Sequence, residues 1–328
     1  MSEETSQTPQ QHLGSGFGHY STAAQVISGI DLTGKTAIVT GGYSGLGLET
    51  VRALVSAGAQ VTVPARRLDH ARSVLAEAGL DTVAVAHLDL SAQQSVKDFA
   101  RHYLAEHPIL DILINNAAVM ASPEQRVGPG WEAQFATNHL GHYTLVNLLW
   151  PALAAAGSAR VVSLSSTGHK LSPIRFEDMD FAGGYDKWKA YGQAKTANSL
   201  FAVELDRLGQ ASGVRAFAVH PGGIMTELQR HLPKEEMVAA GWMDAAGNLR
   251  EGFKTPEQGA ATSVWAATSP ALDGKGGVYC EDCDIAEPTD HQSPLARYQG
   301  VDAHAVDRDA ARKLWERSAQ LTGVNAFA

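Results

Sequence analysis

A tyrosine and a lysine four residues apart, Tyr191 and Lys195, form the pair most suggestive of chemistry in this chain of 328 residues. They lie in a helical pattern that continues through Phe201. Residues four apart share a helix face, so the phenol and the ammonium are expected to be neighbours. A free tyrosine titrates at about pH 10, and a positive charge beside it would lower that pKa toward the range useful for acid–base catalysis. The alternative is a surface Tyr–Lys pair, because this spacing is common by chance.

Hydroxyl groups follow an apolar run at 160–164, where Ser165 and Ser166 precede Thr167, Gly168 and His169. A hydroxyl at such a strand end could hold a substrate carbonyl while negative charge develops on its oxygen, although serines there are more often turn formers. Asn138 lies inside another helical run. Asparagine lowers helix propensity, so the sequence suggests that Asn138 has a purpose other than solubility.

A glycine-rich turn lies near the start of the chain, between a β-branched run at 36–40 and a helical pattern at 48–57. Glycine lets the backbone approach a ligand, and the free N–H groups and dipole of a helix N-terminus favour an anion. The spacing is Gly-x-x-x-Gly-x-Gly, not the usual Gly-x-Gly-x-x-Gly, so a tight turn alone is the competing interpretation. The strand, turn and helix together favour a dinucleotide pyrophosphate cradle. Its predicted contacts are Gly41, Tyr43, Ser44, Gly45, Leu46 and Gly47.

The end of the next strand indicates which dinucleotide is bound. An NAD site usually presents an acidic residue to the ribose about 20 residues after the glycines. Here the run at 61–65 leads into Arg66 and Arg67 with no acid at its tip. Guanidinium groups can grip a 2′-phosphate through charge-assisted bonds, so the sequence favours NADP(H) over NAD(H). The alternative is that both arginines are merely solvated.

Two further strand ends fit an adenosine pocket. Asp89 and Leu90 follow one run, and the carboxylate could accept a hydrogen bond from the adenine amino group. Asn116 and Ala117 follow another, where small residues leave room for the adenosine. A lone Asp or Asn at such a place is otherwise a turn residue or a helix cap.

The elements that must position these residues alternate between short strands and longer helices, which demands a parallel sheet with helices on both faces. We therefore predict a single doubly wound α/β Rossmann fold with about seven strands, whose ligands bind at the carboxyl ends of the strands. Capping boxes at 91–94 and 255–258 are expected to open two of its helices. The predicted strands are 36–40, 60–63, 82–86, 111–115, 160–164, 214–220 and 277–280.

Domain organisation follows from composition. The polar start of the chain predicts an N-terminal extension over 1–30, partly disordered up to Gly18. Residues 31–328 are then one domain, in which the irregular segment 224–254 is expected to form a lid over the substrate. Apolar side chains in that segment, such as Leu228 and Leu232, could face a substrate or the core, and the core is the commoner case.

Bulk properties exclude several classes. The net charge is -9 and the pI about 5.8, which argues against a nucleic-acid partner. The two cysteines, Cys280 and Cys283, are too few for a disulfide framework or a zinc site, so no metal is expected. No signal pattern and no run long enough to span a bilayer is present. We expect a soluble, cytoplasmic protein.

Together these motifs resemble the short-chain dehydrogenase/reductase family in its single-domain form, most of all the branch of retinol dehydrogenases and the WW-domain oxidoreductase. The resemblance runs from about Asp31 to the C-terminus. The chain carries Ala118 and Ala194 where the family usually has glycine and serine. The family motifs fall at Thr40 to Gly47, Asn115 to Ala118, Tyr191 to Lys195, and Pro221, Gly222 and Thr226.

The resemblance implies roles for the residues above. Tyr191 would be the general acid and base, and Lys195 would lower its pKa and hold the nicotinamide ribose. Ser166, or failing that Ser165, would orient the substrate carbonyl. Asn138 would bind a water molecule that links Lys195 to solvent. Pro221, Gly222 and Thr226 would bind the cofactor.

The expected activity is NADP(H)-dependent hydride transfer between nicotinamide C4 and a carbonyl or alcohol, with a hydrophobic substrate as the favoured class. A non-catalytic NADP-binding sensor and a sugar-nucleotide epimerase are the alternatives. The sensor would tolerate loss of Tyr191, Lys195 or Ser166, and the epimerase would want a larger C-terminal domain. Relatives often form dimers or tetramers through the helices that contain Asn138 and Tyr191, so a homodimer and a homotetramer both stay open.

Overall fold

The predicted strands form one mainly parallel sheet in the computed structural model, which describes residues 7–328. The sheet order is β10-β9-β8-β7-β4-β1-β2-β3, so the order reverses beside β1, between β1 and β4. The small pair β5 and β6 forms a separate hairpin. The strands are β1 (Thr36–Val39), β2 (Gln60–Ala65), β3 (Ala84–His87), β4 (Ile112–Asn115), β5 (Arg126–Val127), β6 (Trp131–Glu132), β7 (Arg160–Leu164), β8 (Arg215–His220), β9 (Val278–Glu281) and β10 (Asp284–Ile285).

The main sheet has eight strands where about seven were predicted. The additional strand is β10, which pairs antiparallel with β9 through a tight turn at Asp282 and Cys283. Both turn residues have positive φ, 48° and 60°, a conformation that matches the twist of a two-residue hairpin. A two-residue strand carries too little hydrophobic alternation to be recognised from sequence.

Helices cover both faces of the sheet, as the α/β prediction requires. On one face α1, α2 and α9 bury side chains such as Leu54 and Trp265; on the other, α4, α6 and α7 bury side chains such as Phe99 and Leu205. The helices are α1 (Ala23–Ile27), α2 (Gly45–Ser56), α3 (Leu68–Glu77), α4 (Gln93–Glu106), α5 (Ala133–Phe135), α6 (Gly141–Ala156), α7 (Lys187–Gly209), α8 (Lys234–Ala239), α9 (Pro256–Thr268) and α10 (Arg308–Thr322).

One of the two predicted capping boxes is present. Thr255 caps α9 by accepting a hydrogen bond from the Gln258 N–H, with Pro256 at the first helical position. The box predicted at 91–94 is wrong: α4 has Ala92 at its N-cap without a side-chain hydrogen bond. The Ser91 hydroxyl instead donates to Asp89 Oδ1 at 2.6 Å, a charge-assisted hydrogen bond that holds it away from the helix start.

The described part of the N-terminal extension lies on the domain. Backbone N–H groups of Leu13, Gly14 and Ser15 donate to the Asp284 carboxylate at 2.7 to 3.1 Å, and α1 packs against α9. The disorder predicted up to Gly18 falls partly on residues 1–6, which lie outside the described residues. From residue 7 onward the extension is held by long-range contacts, which composition alone does not reveal.

The C-terminal helix α10 covers the outer face of α6 and α7. Trp315 stacks on Phe201 with ring centroids 5.6 Å apart and lies 4.9 Å from Tyr143. The Tyr143 hydroxyl also donates to the Val324 carbonyl at 3.0 Å. A dimer formed through this face would have to displace α10.

Both cysteines are buried free thiols, Cys280 in β9 and Cys283 in the hairpin turn. Over residues 7–328, no cluster of three or more His, Cys, Asp or Glu residues is arranged to hold a metal. None of the helices in that range is both long and apolar enough to cross a bilayer.

His139 lies between α6 and α10 and predicts how stability depends on pH. Burial lowers its pKa to about 3, whereas an unfolded histidine titrates near about 6.5. Between these values the unfolded chain holds a proton that the folded chain lacks, so the free energy of unfolding falls as pH drops below about 6.5, by about 1.4 kcal/mol per unit for this residue. His139→Phe should therefore lessen the loss of stability between pH 6.5 and 5, measured by urea unfolding.

The phenylalanine ring would take the place of the imidazole among aromatic neighbours. Ser318, the hydrogen-bond partner of His139, would not be left unpaired, because it also donates to the Leu314 carbonyl. His102→Phe, on the exposed face of α4, is the matched control and should leave the pH dependence unchanged. An unaltered acid slope in His139→Phe would show that His139 is not held neutral by its burial.

Candidate functional site

A cleft of about 1820 Å³ opens at the carboxyl ends of the parallel strands, where the strand order reverses. This is where ligands bind in doubly wound sheets. The structure brings to it every predicted site residue except Asn138. They are Gly41, Tyr43, Ser44, Gly45, Leu46, Gly47, Arg66, Arg67, Asp89, Leu90, Asn116, Ala117, Ser166, Tyr191, Lys195, Pro221, Gly222 and Thr226.

The glycine turn ends in an open helix N-terminus. Gly41 and Gly45 have φ of 65° and 47°, which favour glycine, and a Cβ on Gly47 would come within 2.3 Å of the Gly41 carbonyl oxygen. Ser44 is the N-cap of α2, yet its side chain makes no capping hydrogen bond. The first N–H groups of α2 are therefore left to a ligand, and their dipole favours an anion.

Thr40 joins the turn to the next strand end through a network that sequence reasoning missed. Its hydroxyl oxygen accepts the N–H groups of Asn116 and Ala117 at 2.9 and 3.0 Å. His142 Nδ1 faces the Asn138 carbonyl at 2.9 Å and must carry the hydrogen, so Nε2 accepts from the Thr40 hydroxyl at 2.9 Å. Burial lowers the His142 pKa to about 4, which keeps this neutral tautomer.

The arginine pair lies at the end of β2. Arg66 and Arg67 are exposed and line the cleft. Within residues 7–328 neither is paired with a carboxylate, so both guanidinium groups are available to a ligand. Asp89 lines the same cleft, with Oδ1 accepting from the N–H and hydroxyl of Ser91.

Tyr191 and Lys195 lie in α7, on one face as predicted, with Lys195 Nζ 5.6 Å from the centre of the tyrosine ring. Both side chains are buried at the cleft wall. The ammonium donates to the Leu164 carbonyl at 2.9 Å. Gly168 packs so closely against the phenol that a Cβ there would lie 2.6 Å from Tyr191 Cε1.

Burial has the largest effect on the pKa of Tyr191 in this structure, and the expected lowering of that pKa by Lys195 stays a prediction. Burial raises the pKa of Tyr191 to about 12, against a smaller effect of a hydrogen bond with Ser166. Burial also lowers the pKa of Lys195 to about 7. Loss of hydration disfavours the charged form of each side chain. Tyr191 is consequently protonated at neutral pH and can donate its proton.

Two neighbouring serines separate into different environments. Ser166 is partly exposed, lines the cleft, and accepts the Gly168 N–H at 3.0 Å. Ser165 is buried, and its hydroxyl donates to the Lys195 carbonyl at 2.8 Å while accepting from Ser199. The Ser165 hydroxyl is already engaged in holding β7 on α7, which leaves Ser166 as the serine available to a substrate.

Asn138 lies apart from the cleft, in a π-helical turn over Ala136–Leu140. Its amide accepts the Val119 N–H and donates to the Val119 carbonyl, each at 2.8 Å. The suggestion that its purpose is not solubility agrees with this contact, since Asn138 pins the chain that follows β4. Its role in binding a water molecule stays a prediction.

The turn after β8 packs against Lys254. Gly222 has φ of 102°, and a Cβ there would meet Lys254 Cδ at 2.8 Å. Lys254 is buried and pairs with Asp282 at 2.6 Å, and the Ile224 and Lys254 backbones are bridged. The ends of the predicted lid are thus tied together beside Pro221, Gly222 and Thr226.

The segment 224–254 contributes side chains to an apolar cluster that includes Tyr191. Leu232 belongs to a buried apolar cluster with Met120, Ala121 and Tyr191, against which Leu228 and three other side chains pack. The apolar residues of the segment thus belong to the same cluster as the side chain proposed for catalysis. We name these eight the apolar chamber: Met120, Ala121, Trp188, Tyr191, Leu228, Leu232, Met237 and Trp242.

Residues from the far C-terminal part also line the cleft, and no local motif marks them. Leu295, Arg297, Tyr298 and Gln299 reach it because residues 287–301 run back beside β9. Only long-range pairing, such as that between the backbones of Pro288 and Val301, brings them there.

Comparison with known proteins agrees with this geometry. The family model for short chain dehydrogenase matches residues 35–237. The chain is 48% identical to a Streptomyces lividans protein named "Probable oxidoreductase", covering 88% of this chain and 98% of that one. It is 36% identical to mouse (Mus musculus) retinol dehydrogenase 12, covering 90% and 88%. A solved structure of an uncharacterized Mycobacterium paratuberculosis protein superposes with a TM-score of 0.71 at 33% identity, covering 94% of this chain and 99% of that one.

Proposed function

Because the chain belongs to the short-chain dehydrogenase/reductase family, in its retinol-dehydrogenase-like branch, and is an oxidoreductase, we propose that it transfers hydride between NADP(H) and a hydrophobic carbonyl or alcohol, with Tyr191 as general acid and base. The observation that carries the proposal is that one cleft is lined by the open N-terminus of α2, the two arginines after β2, and Tyr191 beside Ser166.

The residues present fit a nicotinamide dinucleotide. The uncapped N-terminus of α2 would hold the pyrophosphate, and the small residues at Asn116 and Ala117 would leave room for the adenosine. Lys195 would hold the nicotinamide ribose, and Thr226 would face the nicotinamide from the turn after β8. When bound, the cofactor supplies or accepts hydride at its C4 atom.

The chain's own residues handle the proton. In the reducing direction Ser166 would donate a hydrogen bond to the substrate carbonyl oxygen and orient it. Tyr191, protonated at neutral pH because burial raises its pKa to about 12, would donate its proton as charge grows on that oxygen. In the oxidising direction the Tyr191 oxygen would take the alcohol proton as a phenolate, which the Lys195 ammonium is proposed to stabilise when the cofactor is bound. Asn138, which holds the chain beside Met120 in place, completes the proposed set.

The apolar chamber supports a hydrophobic substrate, because four of its side chains line the cleft together with Tyr191: Met120, Trp188, Leu228 and Trp242. Neither rival function is favoured by an observation of the same weight. A sensor without catalysis has no need of a buried tyrosine and lysine at the cleft wall, and a large C-terminal substrate domain for an epimerase is not seen in the part described. We propose a cytoplasmic location for the protein.

Cofactor choice gives a specific prediction. Replacing Arg66 and Arg67 together by alanine should raise the dissociation constant for NADPH by about 30-fold, because charge-assisted hydrogen bonds to the 2′-phosphate are lost. The dissociation constant for NADH, which lacks that phosphate, should rise by less than about threefold. Titration of nicotinamide fluorescence measures both. Arg72→Ala, an exposed arginine one turn into α3 that does not line the cleft, is the matched control. Equal weakening of both nucleotides would refute the phosphate assignment.

The test of the proposed function is the same titration on the unaltered protein, followed by a screen of hydrophobic aldehydes and ketones. We expect NADPH to bind more tightly than NADH and its oxidation to depend on an added carbonyl compound. Absence of binding of either nucleotide would refute the proposal.

A further inference from the structure

Two arginines lie at the mouth of the cleft, far from the pair assigned to NADP. Arg250 belongs to the segment 224–254, and Arg297 to the C-terminal part of the chain. The guanidinium carbon of Arg250 lies 3.9 Å from the centre of the Tyr298 ring, and that of Arg297 lies 5.8 Å away. All three side chains line the cleft. Both arginines are exposed, and within residues 7–328 neither is paired with a carboxylate.

These arginines cannot serve the same anion as Arg66, which follows β2. Gly300 donates its N–H to Glu281 Oε1 at 2.8 Å, so Tyr298 and its neighbours lie at the end of β9. The strands β1, β4, β7 and β8 separate β2 from β9. Five steps of about 4.8 Å place the two pairs about 24 Å apart across the sheet.

The arginines do lie near the reacting tyrosine. Gly168 is in contact with the Tyr191 ring, and two residues later Lys170 Nζ donates to the Gln299 carbonyl at 2.9 Å. Tyr298, which precedes Gln299, therefore lies on the side of the cleft that holds Gly168 and Tyr191. The Arg250 backbone N–H donates to the carbonyl of Trp242, a residue of the apolar chamber, at 2.9 Å. A substrate with its carbonyl at Tyr191 and its body along the apolar chamber would therefore extend toward Arg250.

The carboxyl groups nearby leave a positive balance at this end. Glu281 lines the cleft, but burial raises its pKa to about 7, so it carries only part of a charge at neutral pH. Asp282 is paired with Lys254, and Asp302 with Lys170. Two exposed glutamates, Glu227 and Glu251, also line the cleft, and Glu251 directly follows Arg250 in the chain, so it opposes the charge of Arg250.

From this arrangement we propose that Arg250 and Arg297 bind an anionic group at the far end of the substrate, so that the substrate class is an amphipathic carbonyl compound with an apolar body and a terminal carboxylate. The stack on Tyr298 orients the guanidinium groups, and guanidinium groups recognise carboxylates through paired hydrogen bonds. The inference rests on the proposed function and adds the substrate class to it.

The test compares 9-oxononanoate with its methyl ester as substrates for reduction by NADPH. We expect the unaltered protein to show a kcat/KM at least about tenfold higher for the acid than for the ester, which is the effect expected of one charge-assisted hydrogen bond. High salt should reduce this preference, because it screens the charges. Arg250→Gln with Arg297→Gln should bring the ratio near one while the ester and the NADPH dissociation constant change less than about twofold. Glu251→Gln should raise the ratio. Arg317→Gln, on the exposed side of α10, is the control.

The two levels of the proposal fail in different ways. If the ester is reduced as well as the acid, or if the arginine variants slow both substrates equally, the arginines only join the lid to the C-terminal segment and the inference is overturned. The proposed function would survive either result. If NADPH does not bind and neither compound is reduced, the proposed function falls and the inference with it.

Discussion

Tyr191→Phe is expected to lower kcat by about 1000-fold, within the range that general acid catalysis contributes, while the dissociation constant for NADPH stays within about twofold. The phenol is buried at the cleft wall beside Ser166 and is protonated at neutral pH. Phenylalanine keeps the ring that packs against Gly168 and removes only the proton donor. Steady-state kinetics with a hydrophobic aldehyde and a fluorescence titration measure the two quantities separately.

Tyr143→Phe is the matched control, because this buried tyrosine donates to the Val324 carbonyl on the far side of α6 and does not line the cleft. It should lose some stability and keep its turnover. If Tyr191→Phe retained more than about a tenth of the activity, the proton would have to come from another group, and the assignment of Tyr191 would be wrong.

Lys195→Met is expected to remove at least about 99% of the activity and yet to make the folded protein more stable. Burial lowers the Lys195 pKa to about 7, whereas an unfolded lysine titrates near about 10.4. Between these values the unfolded chain binds a proton that the folded chain lacks, so this cost is fully present below about pH 7 and fades as pH rises toward about 10.4. Methionine has a similar length and carries no charge.

The substitution leaves no new unpaired carbonyl, since Asn198 Nδ2 still donates to Leu164 at 2.8 Å. We expect the free energy of unfolding to rise by about 1 to 2 kcal/mol at pH 7, the usual scale for relieving a functional site, and by less at pH 9.5. Lys189→Met, an exposed lysine on the same helix, should change neither quantity. A variant that is destabilised at pH 7 would show that the Lys195 ammonium supports the fold.

The parts of this site that sequence reasoning found are those built by local sequence. The glycine turn, the Tyr191 and Lys195 spacing and the strand ends are short patterns, and a parallel sheet brings strand ends to one edge whatever the details. The same reasoning recognised Ser166 but could not separate it from Ser165, because only the packing of β7 on α7 decides which hydroxyl is engaged.

What sequence reasoning missed depends on burial and on contacts distant in sequence. The rise of the Tyr191 pKa was not foreseen, because it comes from dehydration of the phenol in the folded protein. The sequence analysis gave His142 no role, whereas its ring accepts a hydrogen bond from Thr40, more than a hundred residues away in the chain. Arg250 and Tyr298 carry no motif, and a lid and a C-terminal segment must both fold before they meet.

The central claim is tested most directly with NADPH that carries deuterium at both positions of C4, incubated with the protein and a panel of hydrophobic aldehydes and ketones. The account predicts an alcohol that contains one deuterium on the former carbonyl carbon, formed by the unaltered protein and scarcely by Tyr191→Phe. An alcohol without deuterium, or no alcohol from any carbonyl compound while NADPH is bound, would contradict it.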